Sequence, residues 1–218
     1  MIDPLDVDFS YDACPSGEPY DWTNAARGDS PWDNLDFHLD LGCGKVKKGR
    51  IGVDRYPAAG VDIVMDLEHM TRPFPAADVD ALELPWVEFS ALPFGESSIR
   101  SIISHHFLEH IGPGFMRLMN ECYRVLEPGG VFRAIVPLFP STAAVQDPDH
   151  KRYFMLDTFD SFCGTPGETP QNCWLASFSV PYTTARFEMV HKDWTALVGD
   201  PWAHACAREL RVAMRAQK

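Results

Sequence analysis

From Leu35 onward, apolar residues gather in short blocks that close on a glycine, proline or charged position. "FHLDL" (37–41), "RIGVD" (50–54), "VDIVM" (61–65), "IRSIIS" (99–104) and "VFRAIVP" (131–137) are such blocks. Their length and content of β-branched residues predict strands. Between the last two, in "GFMRLMNECYRVLEPGG", the period changes. Phe115, Leu118, Met119, Cys122, Tyr123 and Leu126 recur at i, i+3, i+4, i+7, i+8 and i+11, the apolar stripe of a helix. Pro128 and Gly129 then have the fixed φ and the permissive φ of a type II turn. Strand, helix, strand in that order predicts a parallel sheet with right-handed crossovers.

Other stretches depart from this pattern. Residues 66–98 are proline-punctuated and too long for a plain connection, so a short helix or an extra strand is expected there. "WLASFSV" and "ARFEMVHKDW" read as two further strands, antiparallel at the sheet edge. "PWAHACARELRVAMRAQK" starts with a proline and collects Arg and Lys late, which predicts a terminal helix. Residues 1–34 show no period and are expected to be an N-terminal arm or lid, because Trp22 and Trp32 are costly to leave exposed. A loosely ordered tail is the plainer alternative. Residues 35–218 then form one domain, with substrate-side insertions at about 68–91 and 138–175.

In an open parallel sheet, ligands bind beyond the carboxyl ends of strands where the strand order reverses. Gly42 and Gly44 follow the first strand directly, and Asp54 ends the second. Glycine lets a backbone approach a ligand closely, and a carboxylate accepts from two vicinal hydroxyls. The plainer alternative is a tight turn beside a surface carboxylate. A dinucleotide fingerprint would be GxGxxG with an acid about 20 residues on. Here Lys47 stands where the third glycine would be and the acid comes sooner, which counts against a nicotinamide-dependent reductase. A ligand with a ribose and no pyrophosphate fits better.

"LDLGCG…GRIGVD", "DIVMDLE", "LPFGESSIRSIISHHFLEHI", "FMRLMNECYRVLEPGGVFRAIVP" and "QDPDHKRYF" follow one another in an order that resembles class I S-adenosylmethionine (SAM)-dependent methyltransferases. The likeness spans residues 36–160 and is greatest to the small methyltransferase-domain proteins with a shortened first crossover. It implies an α/β, Rossmann-like, doubly wound, mostly parallel sheet with helices on both faces and an antiparallel edge strand. It also implies a place for each motif residue. Asp40, Gly42, Cys43 and Gly44 would line the methionine half of SAM, and Asp54, followed by Arg55, would hold the ribose hydroxyls. Asp66 and Leu67 would meet the adenine, with Glu88, Phe89 and Ser90 as rivals created by the long insertion. Ser104 and His105 would close over the cofactor and face the acceptor. The expected product is S-adenosylhomocysteine (SAH).

On the acceptor side, His105, His150, Asp147 and Tyr153 are the candidate catalytic residues. His150 follows the fifth strand of the core pattern, and an imidazole changes charge near neutral pH. The plainer alternative for that loop is a structural turn with a satisfied surface histidine. His106, His110 and Glu109 have helix-face spacing for a metal, but local packing or capping is the preferred reading and no metal is expected. Trp174, Phe178, Tyr182 and Phe187 read mainly as edge-strand core.

Charge narrows the partners. With 31 acidic against 19 basic side chains the net charge is −12, which disfavours nucleic acid. No stretch is apolar for the roughly 18–20 residues that cross a bilayer, and the acidic N-terminus is unlike a signal peptide. The six cysteines contain no CxxC pair, so reduced thiols and a cytoplasmic setting are expected. Spacing gives little support to a zinc site at Cys163 and Cys173. The expected activity is therefore methyl transfer from SAM to a small molecule, such as a sugar, a nucleotide-linked intermediate or another metabolite. The alternative is a non-catalytic SAM- or SAH-binding module or regulatory subunit. The sequence decides neither acceptor nor oligomeric state.

Overall fold

A computed structural model describes residues 38–73, 86–88, 91–164, 183–197 and 207–218. The expected arm over 1–34 and the "WLASFSV" strand lie outside these residues, as do Phe89, Ser90, Cys173, Trp174, Phe178 and Tyr182.

Each of the five core blocks forms a strand: β1 (Leu39–Leu41), β2 (Ile51–Asp54), β3 (Ile63–Val64), β6 (Ile99–His105) and β7 (Leu126–Pro137). The insertion between β3 and β6 contributes two more, β4 (Thr71–Pro73) and β5 (Trp86–Glu88), which pair antiparallel as a separate two-stranded sheet. That is the extra strand expected for residues 66–98. Two long strands, β8 (Phe187–Leu197) and β9 (Ala207–Ala216), close the chain. The main sheet has the order β3-β2-β1-β6-β7-β9-β8. β1, β2, β3, β6 and β7 run parallel, and β9 is antiparallel to both β7 and β8. The direction of winding reverses between β1 and β6, which is where an open sheet of this kind binds its ligand.

β9 corrects the expected terminal helix. Ala, Leu, Met and Arg are good helix formers, but the segment lies between two strands and bonds to both along its length. Leu210, Val212, Met214 and Ala216 join the main core, and Glu209, Arg211 and Ala213 are also buried on the other face. Burial on both faces explains why no clean alternation marks the segment as a strand. The antiparallel strand accordingly sits one place in from the edge.

The helix α1 (Phe115–Val125) buries Phe115, Leu118, Met119 and Cys122 of the stripe read from the sequence, and Val125 beside them; Tyr123 is half-buried and Leu126 already begins β7. These pack with Leu39, Leu41, Val53, Ile102, Phe132, Ala134, Val136, Leu210 and Val212 of the sheet. Phe115 meets Phe154 and Phe162 edge-on, each at 5.7 Å, so the segment after β7 folds back onto the helix. Gly129 lies at φ +79° where the β6–β7 register shifts, and so supplies the permissive residue of the expected turn. A single helical turn, α2 (Thr142–Val145), follows β7. The β1–β2 connection has turns and no helix, shorter still than the sequence suggested.

Candidate active site

The parallel register brings the ends of β1, β2, β6 and β7 to one edge of the sheet. Because β9 runs the other way, its beginning joins them, with Glu209 opposite Pro137. The site is built along this edge in two halves.

In the first half, Gly42 and Gly44 occupy the left-handed region at φ +70° and +57°, which costs other residues about 1–2 kcal/mol each. Gly42 N–H donates to the Val53 carbonyl at 2.8 Å and pins the turn to β2. The next turn brings Gly44 N–H to Asp54 Oδ2 at 3.0 Å, and Tyr56 N–H donates to Asp54 Oδ1 at 3.1 Å. Each oxygen of Asp54 thus accepts one backbone bond and keeps capacity for another. A carboxylate held this way fits two vicinal hydroxyls, so the residues present suit an adenosyl ligand. Phe107 lies over the turn: a Cβ built on Gly42 would be 2.1 Å from Phe107 Cγ.

Asp40 is 2% exposed and its Oδ2 accepts from Lys48 N–H at 2.5 Å. Burial pushes its carboxyl up to about 6, against the opposing pull of the Lys48 amide. Cys43 is buried and donates to the Gly60 carbonyl at 3.3 Å. Burial, aided by Asp40 and Asp54, pushes this thiol up to about 12, so it serves as packing. Leu67 is part of the core. Asp66 is occupied within its own loop. It accepts from Glu68 N–H (2.9 Å), His69 N–H (3.3 Å) and His69 Nδ1 (3.1 Å), and Arg55 Nε lies 3.5 Å from Oδ2. Burial alone would raise its pKa, but the His69 bonds and Arg55 outweigh that and hold it below the usual carboxylate range. Asp54 therefore has acceptor capacity for a ligand, whereas Asp66 has little left.

The second half starts at the end of β6. Ser104 is fully buried, and its Oγ has no hydrogen-bond partner among the described residues. Burial, with the charges of His106, Lys48 and Arg211, holds His105 neutral, well below the ordinary imidazole range. His106, at φ +49°, points between two buried carboxylates, with Nε2 2.6 Å from Glu209 Oε1 and Nδ1 3.3 Å from Glu109 Oε1. Burial opposes its charge, yet these two partners win and raise its pKa to about 9. Arg211 Nη2 reaches Glu209 Oε2 at 3.5 Å. Glu209 and Arg211 were absent from the sequence candidates because their strand reads as a helix. The available signal was charge at 209 and 211 alternating with Leu210, Val212 and Met214.

His106 and His110 do not share a ligand. Residues 108–110 form one 3-10 turn, and His110 faces away toward Asp149 and His150. The segment 147–153 is fastened to this turn. Lys151 and Arg152 N–H donate to the Glu109 carbonyl at 2.8 and 3.1 Å, and Arg152 Nη2 donates to the Gly112 carbonyl at 2.9 Å. His150 lies 8% exposed, donates from Nδ1 to the Ala144 carbonyl at 3.1 Å, and has Nε2 3.9 Å from Asp147 Oδ2. Tyr153 is half-exposed against Phe139. The structure thus brings His105, at the end of β6, and Asp147 and His150, on the loop after β7, to the same edge as the glycine turn.

Residues 39–134 match a family model described as "Methyltransferase domain". No curated protein matches the chain. Among solved structures, the chain is similar to a 1,6-didemethyltoxoflavin-N1-methyltransferase from Burkholderia thailandensis bound to its substrate and SAH. That pair is 13% identical, with 91% of this chain and 82% of that one covered and a TM-score of 0.49. It is also similar to the complex of the Haloferax volcanii Trm112 methyltransferase activator with a putative methyltransferase (14%, 84% and 83%, TM-score 0.48). A third likeness is a SAM-dependent methyltransferase from Archaeoglobus fulgidus (12%, 84% and 87%, TM-score 0.45). The chain thus matches a methyltransferase domain over residues 39–134, on a sheet whose winding reverses at the glycine turn.

Proposed function

We propose that this protein is an enzyme that transfers a methyl group from SAM to a small-molecule acceptor: a sugar, a nucleotide-linked compound or another metabolite. The observation that carries the reading is the Asp54 carboxylate, fixed by Gly44 and Tyr56 N–H with one acceptor position left on each oxygen. Asp54 would hold the ribose, and the Gly42–Gly44 turn would lie along the methionine chain. SAM supplies a sulfonium whose methyl is already activated for in-line attack. The chain then has to position the acceptor, hold water off and dispose of its proton. Positioning supplies much of the barrier reduction when reacting atoms are held about 3–3.5 Å apart. The acceptor side carries His105, Asp147, His150 and Tyr153, with Glu109 and Glu209 behind them, groups able to orient a hydroxyl or amine and take up a proton. A net charge of −12 suits a neutral or cationic metabolite better than a polynucleotide.

Calorimetry with SAH, followed by a screen of metabolite pools with methyl-labelled SAM, tests the reading. Saturable SAH uptake and one labelled product support it. Uptake without any labelled product supports the non-catalytic module, and no uptake by folded protein removes both.

A further inference from the structure

Glu109, His110 and His150 come together at the end of β6 and after β7. One ligand atom from each lies within 4.8 Å of the others. Both histidines are oriented as metal ligands usually are, with one ring nitrogen held by an outer acceptor. His110 Nδ1 donates to Asp149 Oδ2 at 3.0 Å, and His150 Nδ1 donates to the Ala144 carbonyl at 3.1 Å. In that tautomer Nε2 carries the lone pair on each ring. The rings meet edge-on with centroids 5.0 Å apart. Glu109 is an independent sign. Its side chain is 2% exposed, and Oε2 has no hydrogen-bond partner among the described residues. A buried carboxylate oxygen without a partner costs about 1–3 kcal/mol or more, and such an atom calls for an explanation.

We propose that Glu109, His110 and His150 form a binding site for a divalent transition-metal ion of the zinc type, with Asp147 Oδ2, 3.9 Å from His150 Nε2, as a fourth ligand. Two imidazoles and a carboxylate suit zinc, cobalt or ferrous iron better than calcium or magnesium. The site is held ready before an ion arrives, because Lys151 and Arg152 N–H bind the Glu109 carbonyl and lock the two ligand-bearing loops together. Lys151 Nζ also reaches Glu68 at 2.6 Å. The neighbouring group of His105, His106 and Glu209 is a poorer site, because both nitrogens of His106 already face carboxylates. His110 is 31% exposed, so an ion here keeps a face open at the same edge as the glycine turn. It would polarise an acceptor hydroxyl or amine there and lower its pKa. Only that last role rests on the methyl-transfer reading; the binding site does not.

The test is titration of metal-stripped, full-length protein with Co²⁺, read by its visible ligand-field bands, together with zinc analysis of protein purified without chelator. The expected result is saturation near one equivalent, loss of the bands in His110→Ala and in His150→Ala, and about 10–100-fold weaker binding in Asp149→Asn. His110 is partly exposed, so His110→Ala is expected to fold, and unchanged SAH binding checks that it has. No bands and no bound zinc in protein that takes up SAH would overturn the metal site and leave the methyl-transfer reading intact. Bands that survive both histidine substitutions would also overturn it.

Discussion

Gly42→Ala tests whether the glycine turn and Phe107 form one packed unit. Two costs combine at this position. An alanine at φ +70° costs about 1–2 kcal/mol. Its Cβ would also lie 2.1, 2.3 and 2.4 Å from Phe107 Cγ, Cδ2 and Cβ. The near atoms include the ring's root, so rotating the ring tip does not relieve the overlap, and forced displacement of this kind costs about 1–3 kcal/mol. Together these give about 2–5 kcal/mol, which for a chain of this size lowers Tm by roughly 5–15 °C. Gly44→Ala is the matched control. It has φ +57° but no atom within 4 Å of its built Cβ, so it pays only the backbone cost and loses about 2–6 °C. The assay is thermal and urea unfolding of both variants, of Phe107→Ala and of the Gly42→Ala/Phe107→Ala pair. The double-mutant cycle should show about 1–3 kcal/mol of rescue, the size expected for residues in direct contact. Equal losses for the two alanine variants, or additive behaviour in the cycle, would refute the packing argument.

Asp54→Asn should weaken SAH binding by at least about tenfold, the cost of degrading hydrogen bonds to a charged acceptor, with little change in Tm; calorimetry reads both arms, and unaltered affinity removes Asp54 from the site. Asp40 has its folded pKa raised to about 6 from 3.8. Its charged form therefore penalises the fold increasingly as pH rises from about 4 to 6. The penalty is full above that, at about 3 kcal/mol. Asp40→Asn should thus gain stability relative to the parent between pH 4 and pH 7 in urea titrations, and a pH-independent difference would contradict the burial argument. Cys43, with its thiol pushed up to about 12, should resist iodoacetamide at pH 8 in folded protein, as peptide mass mapping would show.

Much of the scaffold was legible because its elements carry strong local signals. The core strands are short apolar blocks ended by turn residues, and α1 keeps an unbroken stripe from Phe115 to Val125. The placement of Asp54 at the end of the second strand, beside the glycines, was legible in the sequence, and Gly44 N–H meets it there. β9 was not, since residues with helix-forming side chains became a strand through pairing on both sides, a decision made by tertiary structure. Missing β9 meant missing Glu209 and Arg211. The saturation of Asp66 was equally hidden, because it depends on backbone amides of Glu68 and His69 that no side-chain motif announces.

The placement of charge follows from this topology. Carboxylates and imidazoles are expensive to bury unless they are paired, and the buried side chains of the central strands are mostly apolar, with Asp40 and Arg133 as exceptions. Ionisable groups can therefore enter the interior most cheaply at strand ends, where loops supply partners. Parallel strands put the ends of β1, β2, β6 and β7 on one edge, and reversing β9 adds Glu209 there. The Gly44–Asp54 contact organises one side of that edge and the His106–Glu109–Glu209 group the other. The carbonyl of Glu109, which receives Lys151 and Arg152 N–H, ties the second side to the loop after β7. Glu109 is thus the joint of this half of the edge: its backbone holds the loop, Oε1 meets His106, and Oε2 has no hydrogen-bond partner among the described residues. Glu109→Gln keeps the shape and the backbone bonds while weakening both polar roles, so it should lower cobalt affinity with SAH affinity preserved. Loss of SAH binding in that variant, measured by calorimetry, would show instead that the two halves of the edge cannot be separated.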